Sequence, residues 1–359
     1  MCFGLWYFCN MSNAEEIEKG QDSEDLYEHH RIEADPGQNP LRVDKFLTNR
    51  LLNASRNRIQ NAAKAGSIMV NGISVKSNYK VKAADVVTVV LAYPPRDKTL
   101  QPENIPLNIV FEDDSIVIVN KEPGMVVHPG YNNHEGTLVN ALMYHFNSLP
   151  TMEGNDETRP GLVHRIDKDT SGLLLISKDD VGMTFLAKQF FDHSIERTYW
   201  ALVWGDVEEE EGTITSYLGR SLKDRKIMFS YEDESEGKLA ITHYKVLERY
   251  HYATLVECKL ETGRTHQIRV HMRSIGHPIF NDQTYGGDRL VSGPQYTKYK
   301  QFIDNCFSIM PRQALHAKTL GFIHPETKKK VLFDSQLPDD FQGVIDKWNH
   351  YVKYSLNDL

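Results

Sequence analysis

The chain has 359 residues, 40% hydrophobic, 25% charged and 10% aromatic, with a formal net charge of -8. That size and apolar content allow two or three domains with a large core, and exclude a small disulfide-stapled scaffold or a wholly disordered chain. The four cysteines (Cys2, Cys9, Cys258, Cys306) include no C-x-x-C pair, so a cytoplasmic, reducing location is expected and a cysteine zinc site is not, and no apolar run approaches the ~18–20 residues of a membrane-spanning helix.

The first nine residues are apolar but have neither a basic leader nor a small-residue cleavage site, so they do not read as a signal peptide, and Met11 offers a second start. Residues 1–40 carry two basic and nine acidic side chains and read as a disordered acidic tail. Residues 41–93 reverse the sign, with nine basic side chains against Asp44 and Asp85. Such a basic block marks a polyanion-binding module, because each neutralised phosphate releases counterions; its bland alternative is an ordinary charged surface. Within it Val43, Phe46, Leu47 and Leu51 recur at helical spacing. Asn53 and Ser55 offer caps for a second helix with Ile59, Ala62 and Ala63 that ends at Gly66. Asn71-Gly72 between Ile68–Val70 and Ile73–Val75 predicts a tight hairpin, and Val86–Val90 a further strand.

Prolines punctuate a linker over 94–108. The remainder, 109–359, reads as a second domain. Strands are expected at Ile116–Val119, Leu173–Ser177, Tyr199–Val203, Thr254–Leu260 and Lys330–Phe333, and helices at 137–146, 181–191 and 339–350. The acidic runs Asp206–Glu211 and Glu232–Glu236 read as solvated loops.

Two stretches concentrate chemistry. In Arg159-Pro-Gly-Leu-Val-His164-Arg165-Ile166-Asp167-Lys168-Asp169-Thr170-Ser171-Gly172 a charged turn runs into a buried strand. Asp167 there is a candidate nucleophile or base, or else a loop aspartate that caps a turn and pairs with Arg165. A kinase-type His-Arg-Asp loop is excluded by the missing glycine-rich loop and Asp-Phe-Gly. In Gly263-Arg264-Thr265-His266-Gln267-Ile268-Arg269-Val270-His271-Met272-Arg273 a glycine turn leads to a helix with Thr265 as N-cap. Arg264 projects at the positive helix end, suited to gripping a carboxylate or phosphate, and Arg269 and Arg273 share a face or form an exposed basic surface. His266 and His271, five apart with no glutamate between them, do not make a metal site.

Together these motifs resemble the RluA/RluD branch of the RNA pseudouridine synthases. Asn120-Lys121-Glu-Pro-Gly124, His128-Pro129, Arg197-Thr-Tyr199-Trp-Ala-Leu-Val, His277-Pro278, Asp282 with Tyr285-Gly286, and Arg312-Gln-Ala-Leu-His316-Ala add to the likeness. The basic block is similar to the RNA-binding module of the fourth small-subunit ribosomal protein. Asn281 and Ile166 depart from the commoner glycine and leucine.

The resemblance implies an α+β protein: a small α/β RNA-binding module and a catalytic domain whose bent, mixed, mostly antiparallel sheet is flanked by helices. It makes Asp167 the catalytic aspartate, Arg264 its ion-pair partner and Tyr199 the ring against the target base. It sets His164, Arg165, Arg159, Thr265, His266 and Arg269 against the RNA, Arg165 filling the gap in the stack; Arg42, Arg56, Arg58 and Lys64 are the binding residues of the basic block. Uridine isomerisation needs no redox change, so no cofactor or metal is expected. It needs a carboxylate, an enclosed site and an extruded nucleotide. Attack on the sugar, addition to the base and proton abstraction from the ribose stay open, sugar-centred chemistry being favoured. The expected partner is RNA, with large-subunit ribosomal RNA preferred and no obligatory protein partner. The rival readings are a ribosome-assembly factor acting without catalysis and a glycosidase using Asp167 and Asp169.

Overall fold

The computed structural model describes residues 27–51, 54–91, 100–130, 133–151, 159–225 and 227–355. The apolar start, the tail through residue 26, Asn53 and linker positions 94–99 lie outside them. Two units divide the chain, Met1–Lys98 and Thr99–Leu359.

The first unit contains β1 (Tyr27–Glu33), β2 (Leu41–Arg42), α1 (Val43–Thr48), α2 (Arg56–Lys64), β3 (Ile68–Val70), β4 (Ile73–Ser74), β5 (Lys80–Val81) and β6 (Val86–Leu91). Ser55 caps α2, its hydroxyl accepting from the Arg58 amide at 3.3 Å. Asn71 and Gly72 take positive φ angles of 52° and 79°, the geometry a two-residue hairpin demands. The strands order as β1-β6-β3-β4, with β2 and β5 paired apart. Val43, Phe46, Leu47, Ile59 and Ala63 bury the helix faces against Ile68, Val70 and Val87.

One expectation changes here. The acidic tail is expected from sequence to be disordered to residue 40, yet Tyr27–Glu33 is a strand antiparallel to β6, running from Tyr27 opposite Leu91 to Glu33 opposite Val86 with a register shift between Glu28 and His30. It is an edge strand whose side chains are mostly exposed. Backbone pairing and Ile32, which packs on the small core, hold it, so its polar composition is no obstacle.

The second unit runs β7 (Ile109–Glu112), β8 (Ile116–Lys121), α3 (Leu138–His145), β9 (Ser171–Ser177), α4 (Asp180–Phe191), β10 (Glu196–Trp204), β11 (Glu211–Arg220), β12 (Met228–Tyr231), β13 (Lys238–Arg249), β14 (Ala253–Leu260), α5 (Gln267–Ser274), α6 (Thr297–Ile309), β15 (Leu315–Ile323), β16 (Lys330–Asp334) and α7 (Asp339–Ser355). Among the described residues these strands form one sheet, ordered β12-β11-β13-β14-β10-β15-β9-β8-β7 with β16 on β15. β15 runs parallel to β9; the other ladders are antiparallel. The unit is thus the expected mixed sheet with helices.

Both faces of the sheet centre are covered, which is why β9 reads as an unbroken apolar run. Ile116, Ile118, Leu173 and Leu175 face Leu186 of α4 and Phe322. Val117, Val119, Leu174 and Ile176 face the other way, into a core shared with α3 and α7. The acidic runs do fall mainly in loops, though Glu211 opens β11, and Arg249 ties the first together through Asp206 at 3.2 Å and Glu210 at 2.5 Å.

Candidate active site

Asp167 opens a turn closed by the Thr170 amide donating to the Asp167 carbonyl at 3.1 Å, just before β9. Two cations grip this turn through its carbonyls. Lys121, at the end of β8 and 1% exposed, donates to Lys168 O at 2.8 Å and also to Glu122 and Met125 carbonyls. Arg312 donates to Asp169 O at 2.9 Å while its other nitrogens hold Asp340. Gly172, with φ at 112°, then lets β9 lie beside β15: a Cβ there would stand 2.3 Å from the Ala317 carbonyl oxygen.

β10 sits on the other side of β15 and brings Tyr199, opposite Cys258 and Ala317, to the same cavity. Burial raises the Tyr199 pKa, opposed by the Arg197 charge, so the phenol is neutral. The third wall is the start of α5. Here the N-cap is not Thr265 but His266, which adopts a left-handed φ of 55°. Gln267 braces the bend: its Oε1 accepts from Thr262 and from the Arg264 amide, and its Nε2 donates to Ile241 O and Thr242 Oγ1.

The ion pair differs from the expected one. Asp167 meets Arg269, Nη1 to Oδ2 at 3.1 Å, and not Arg264. The same guanidinium forks onto the fully buried Asp282, with Nε and Nη2 at 2.7 and 2.9 Å, and lies 5.1 Å over the Tyr285 ring. Burial works against that charge, but Asp282 and then Asp167 hold the Arg269 pKa above its ordinary value. Arg264 is half-buried on the cavity wall and its Nε donates to Leu239 O at 3.0 Å. The left-handed turn at His266 is the reason: it swings the residues before α5 toward β13, while the first turn of the helix faces Asp167. His266 itself stands 3.9 Å from Asp167 and shares a 2.8 Å hydrogen bond with the Tyr285 hydroxyl; burial lowers its pKa.

Asp167, Tyr199, Arg264, His266 and Arg269 line a cavity of about 510 Å³, within the usual range of small-ligand clefts. Arg165, exposed, borders it and donates to His128 at 3.2 Å; Thr265 also borders it. His164 borders it with a ring stacked on Phe190 at 4.7 Å, but its Nε2 accepts from the Leu175 amide, so that nitrogen serves β9. Arg159 is exposed and outside the wall. The residues given no role from sequence are Arg197, Asp282 and Tyr285; the last two stand 13 and 16 positions beyond Arg269, and only the folded turn after α5 joins them.

In the first unit Asp44 is fully buried and gathers Arg42 at 2.9 Å, Arg56 at 3.1 Å and Gln60 at 2.8 Å. The hydrogen bond from Arg42, against the cost of burial, holds its carboxyl well below the usual range. Both arginines are thereby fixed while staying roughly half-exposed, and Arg58 and Lys64 are exposed on α2. Among the described residues no group of three or more histidines, cysteines or carboxylates is placed to hold a metal, and no helix is long and apolar enough to cross a membrane.

The RNA pseudouridylate synthase family model matches residues 115–274, and the S4 domain model matches residues 41–87. An uncharacterized RNA pseudouridine synthase of Chlorobaculum parvum is 45% identical over 312 residues, 86% of this chain and 94% of that one. Ribosomal large subunit pseudouridine synthase D of Zymomonas mobilis is 43% identical, over 84% of this chain and 92% of that one. The solved human RNA pseudouridylate synthase domain containing 1 shares the fold, with a TM-score of 0.50 at 24% identity, covering 69% of this chain and 95% of that one.

Proposed function

From membership of the RNA pseudouridine synthases, the family to which this chain belongs, we infer that Asp167 converts an everted uridine of large-subunit ribosomal RNA to pseudouridine. The observation that carries this reading is the Asp167 carboxylate set at 3.1 Å against a guanidinium that is itself locked onto buried Asp282, beside Tyr199 in one cavity. The lock matters because a positioned group holds its geometry without reorganising as charge moves.

In the reaction the bond between ribose C1′ and uracil N1 breaks, the base turns, C1′ joins carbon 5, and the carbon 5 proton leaves. Asp167 acts at the sugar, either bonding to C1′ or taking the C2′ proton. Arg269 places a fixed positive charge against the carboxylate, and the neutral Tyr199 ring supplies a face for the base. The nucleotide must leave its stack to reach the cavity, at a cost of a few kcal/mol, and Arg165, which borders the cavity, fills the gap. The S4 unit, through Arg42, Arg56, Arg58 and Lys64, holds the RNA by its phosphates. The relatives named for the ribosomal large subunit point to that RNA, and with it to the cytoplasm.

The test is a map of carbodiimide-dependent reverse-transcription stops in ribosomal RNA from a strain lacking the gene. One or more large-subunit stops should vanish, return with the wild-type gene and stay absent with Asp167→Asn. Unchanged stops in the deletion strain overturn the substrate, and restoration by Asp167→Asn overturns the role of the carboxylate.

A further inference from the structure

Arg197 is 7% exposed, yet no carboxylate among the described residues pairs with it. Its Nε has no hydrogen-bond partner, and its Nη2 reaches only the Glu261 carbonyl at 3.4 Å. The guanidinium lies 5.3 Å over the Phe190 ring and lines the Asp167 cavity. A buried guanidinium left in this state is costly, because desolvation is not offset by a counter-ion. Burial accordingly lowers its pKa. The fold nevertheless makes room for it: Gly263 faces the group, and a Cβ at that position would stand 2.9 Å from Nη1.

Position says what the missing partner is. Arg197 and Tyr199, two apart on β10, share a face of the strand. Both side chains line the cavity that Asp167 also lines. A base held against Tyr199 with its sugar carbon at Asp167 therefore occupies the space that the Arg197 guanidinium lines.

We propose that Arg197 is a catalytic residue that donates to the carbonyl edge of the uracil and holds the negative charge the base carries once detached. The inference rests on the function proposed above. When C1′–N1 breaks, the bonding electron pair departs with N1 and spreads over O2 and O4. C1′ is satisfied by an Asp167 oxygen, or by a C1′–C2′ double bond once Asp167 has taken the C2′ proton. A donor aimed at charge that develops only in the reaction accelerates it without tightening substrate binding.

The experiment uses the full chain under single turnover, with saturating enzyme over RNA carrying uridine or 5-fluorouridine at the target position, glycosidic cleavage being read by mass spectrometry of the digested nucleosides. Arg197→Gln should slow cleavage of the uridine substrate by about 100-fold or more. The Kd for RNA should change less than about threefold. Fluorine makes the base a better leaving group, so the defect should shrink on 5-fluorouridine. Gly263→Ala keeps the arginine but displaces it, and should slow cleavage by about tenfold, which carries the test should Arg197→Gln not fold. A raised Kd with an unchanged saturating rate would make Arg197 a phosphate anchor and overturn the proposal, as would equal defects on the two substrates or wild-type rates in both variants. Failure of the wild-type protein on uridine RNA would instead strike the underlying function.

Discussion

Exchanging each of two arginines for lysine separates the ion pair seen here from the one expected from sequence. Arg269 makes three charged hydrogen bonds at 2.7, 2.9 and 3.1 Å, two of them to a carboxylate with no solvent access. Removing one partner of such a buried pair costs roughly 3–5 kcal/mol. Lysine keeps the charge but loses the planar fork, so Arg269→Lys should destabilise the protein by roughly 2 kcal/mol. It can serve Asp282 or Asp167 but not both, and a carboxylate freed by about 1 Å should lose on the order of 100-fold in rate. Arg264 offers its Nε to one carbonyl, so Arg264→Lys should cost less than about 1 kcal/mol and weaken RNA binding while leaving the saturating rate within about fivefold. Urea unfolding and single-turnover tritium release from RNA labelled at uracil carbon 5 measure both quantities. Full activity in Arg269→Lys, with loss of it in Arg264→Lys, would refute the assignment of the pair.

Three further outcomes follow from particular contacts. His164 accepts from Leu175 and burial lowers its pKa to about 3, so between that value and about 6.5 the unfolded chain binds the proton and the folded one does not; stability rises with pH across that window and is lost at about 1.4 kcal/mol per unit as the pH is lowered through it. Urea unfolding at pH 7 and 5 should therefore show the wild type losing up to about 2 kcal/mol more than His164→Gln, and equal losses would contradict it. Gly172→Ala forces a Cβ to 2.3 Å from Ala317 O and should lower stability by roughly 3 kcal/mol or more, seen as a drop in Tm of several degrees; an unchanged Tm would mean the β9–β15 approach is looser than described. Asp44→Asn releases Arg42 and Arg56, and should lower affinity for structured RNA and flatten its salt dependence, whereas unchanged binding would make the basic surface incidental.

The elements easiest to read from sequence were those whose pattern is local. Ser55 and Asn71-Gly72 carry their own turn chemistry, and β9 shows its double burial as an apolar run. β1 gives no such signal, because an edge strand held by backbone bonds needs few apolar side chains. The parallel pairing of β15 with β9 joins residues about 145 positions apart, which periodicity cannot convey. In the site, Asp167 and Tyr199 stand out as residues in the motifs, but the arginine beside Asp167 does not. Arg264 and Arg269 are both plausible by spacing until His266 adopts φ of 55° and turns them apart. The fold supplies what the sequence lacks: α5 buries Ile268 through Met272 almost all round, and an arginine on so enclosed a helix must have acids to meet.

The most direct test of the central claim is tritium release from uracil-labelled RNA by purified wild-type protein and by Asp167→Asn, which keeps the shape of the side chain and removes its charge. The wild type should release label and the variant none above background while still binding the RNA. Release by the variant at a near-normal rate would contradict the account.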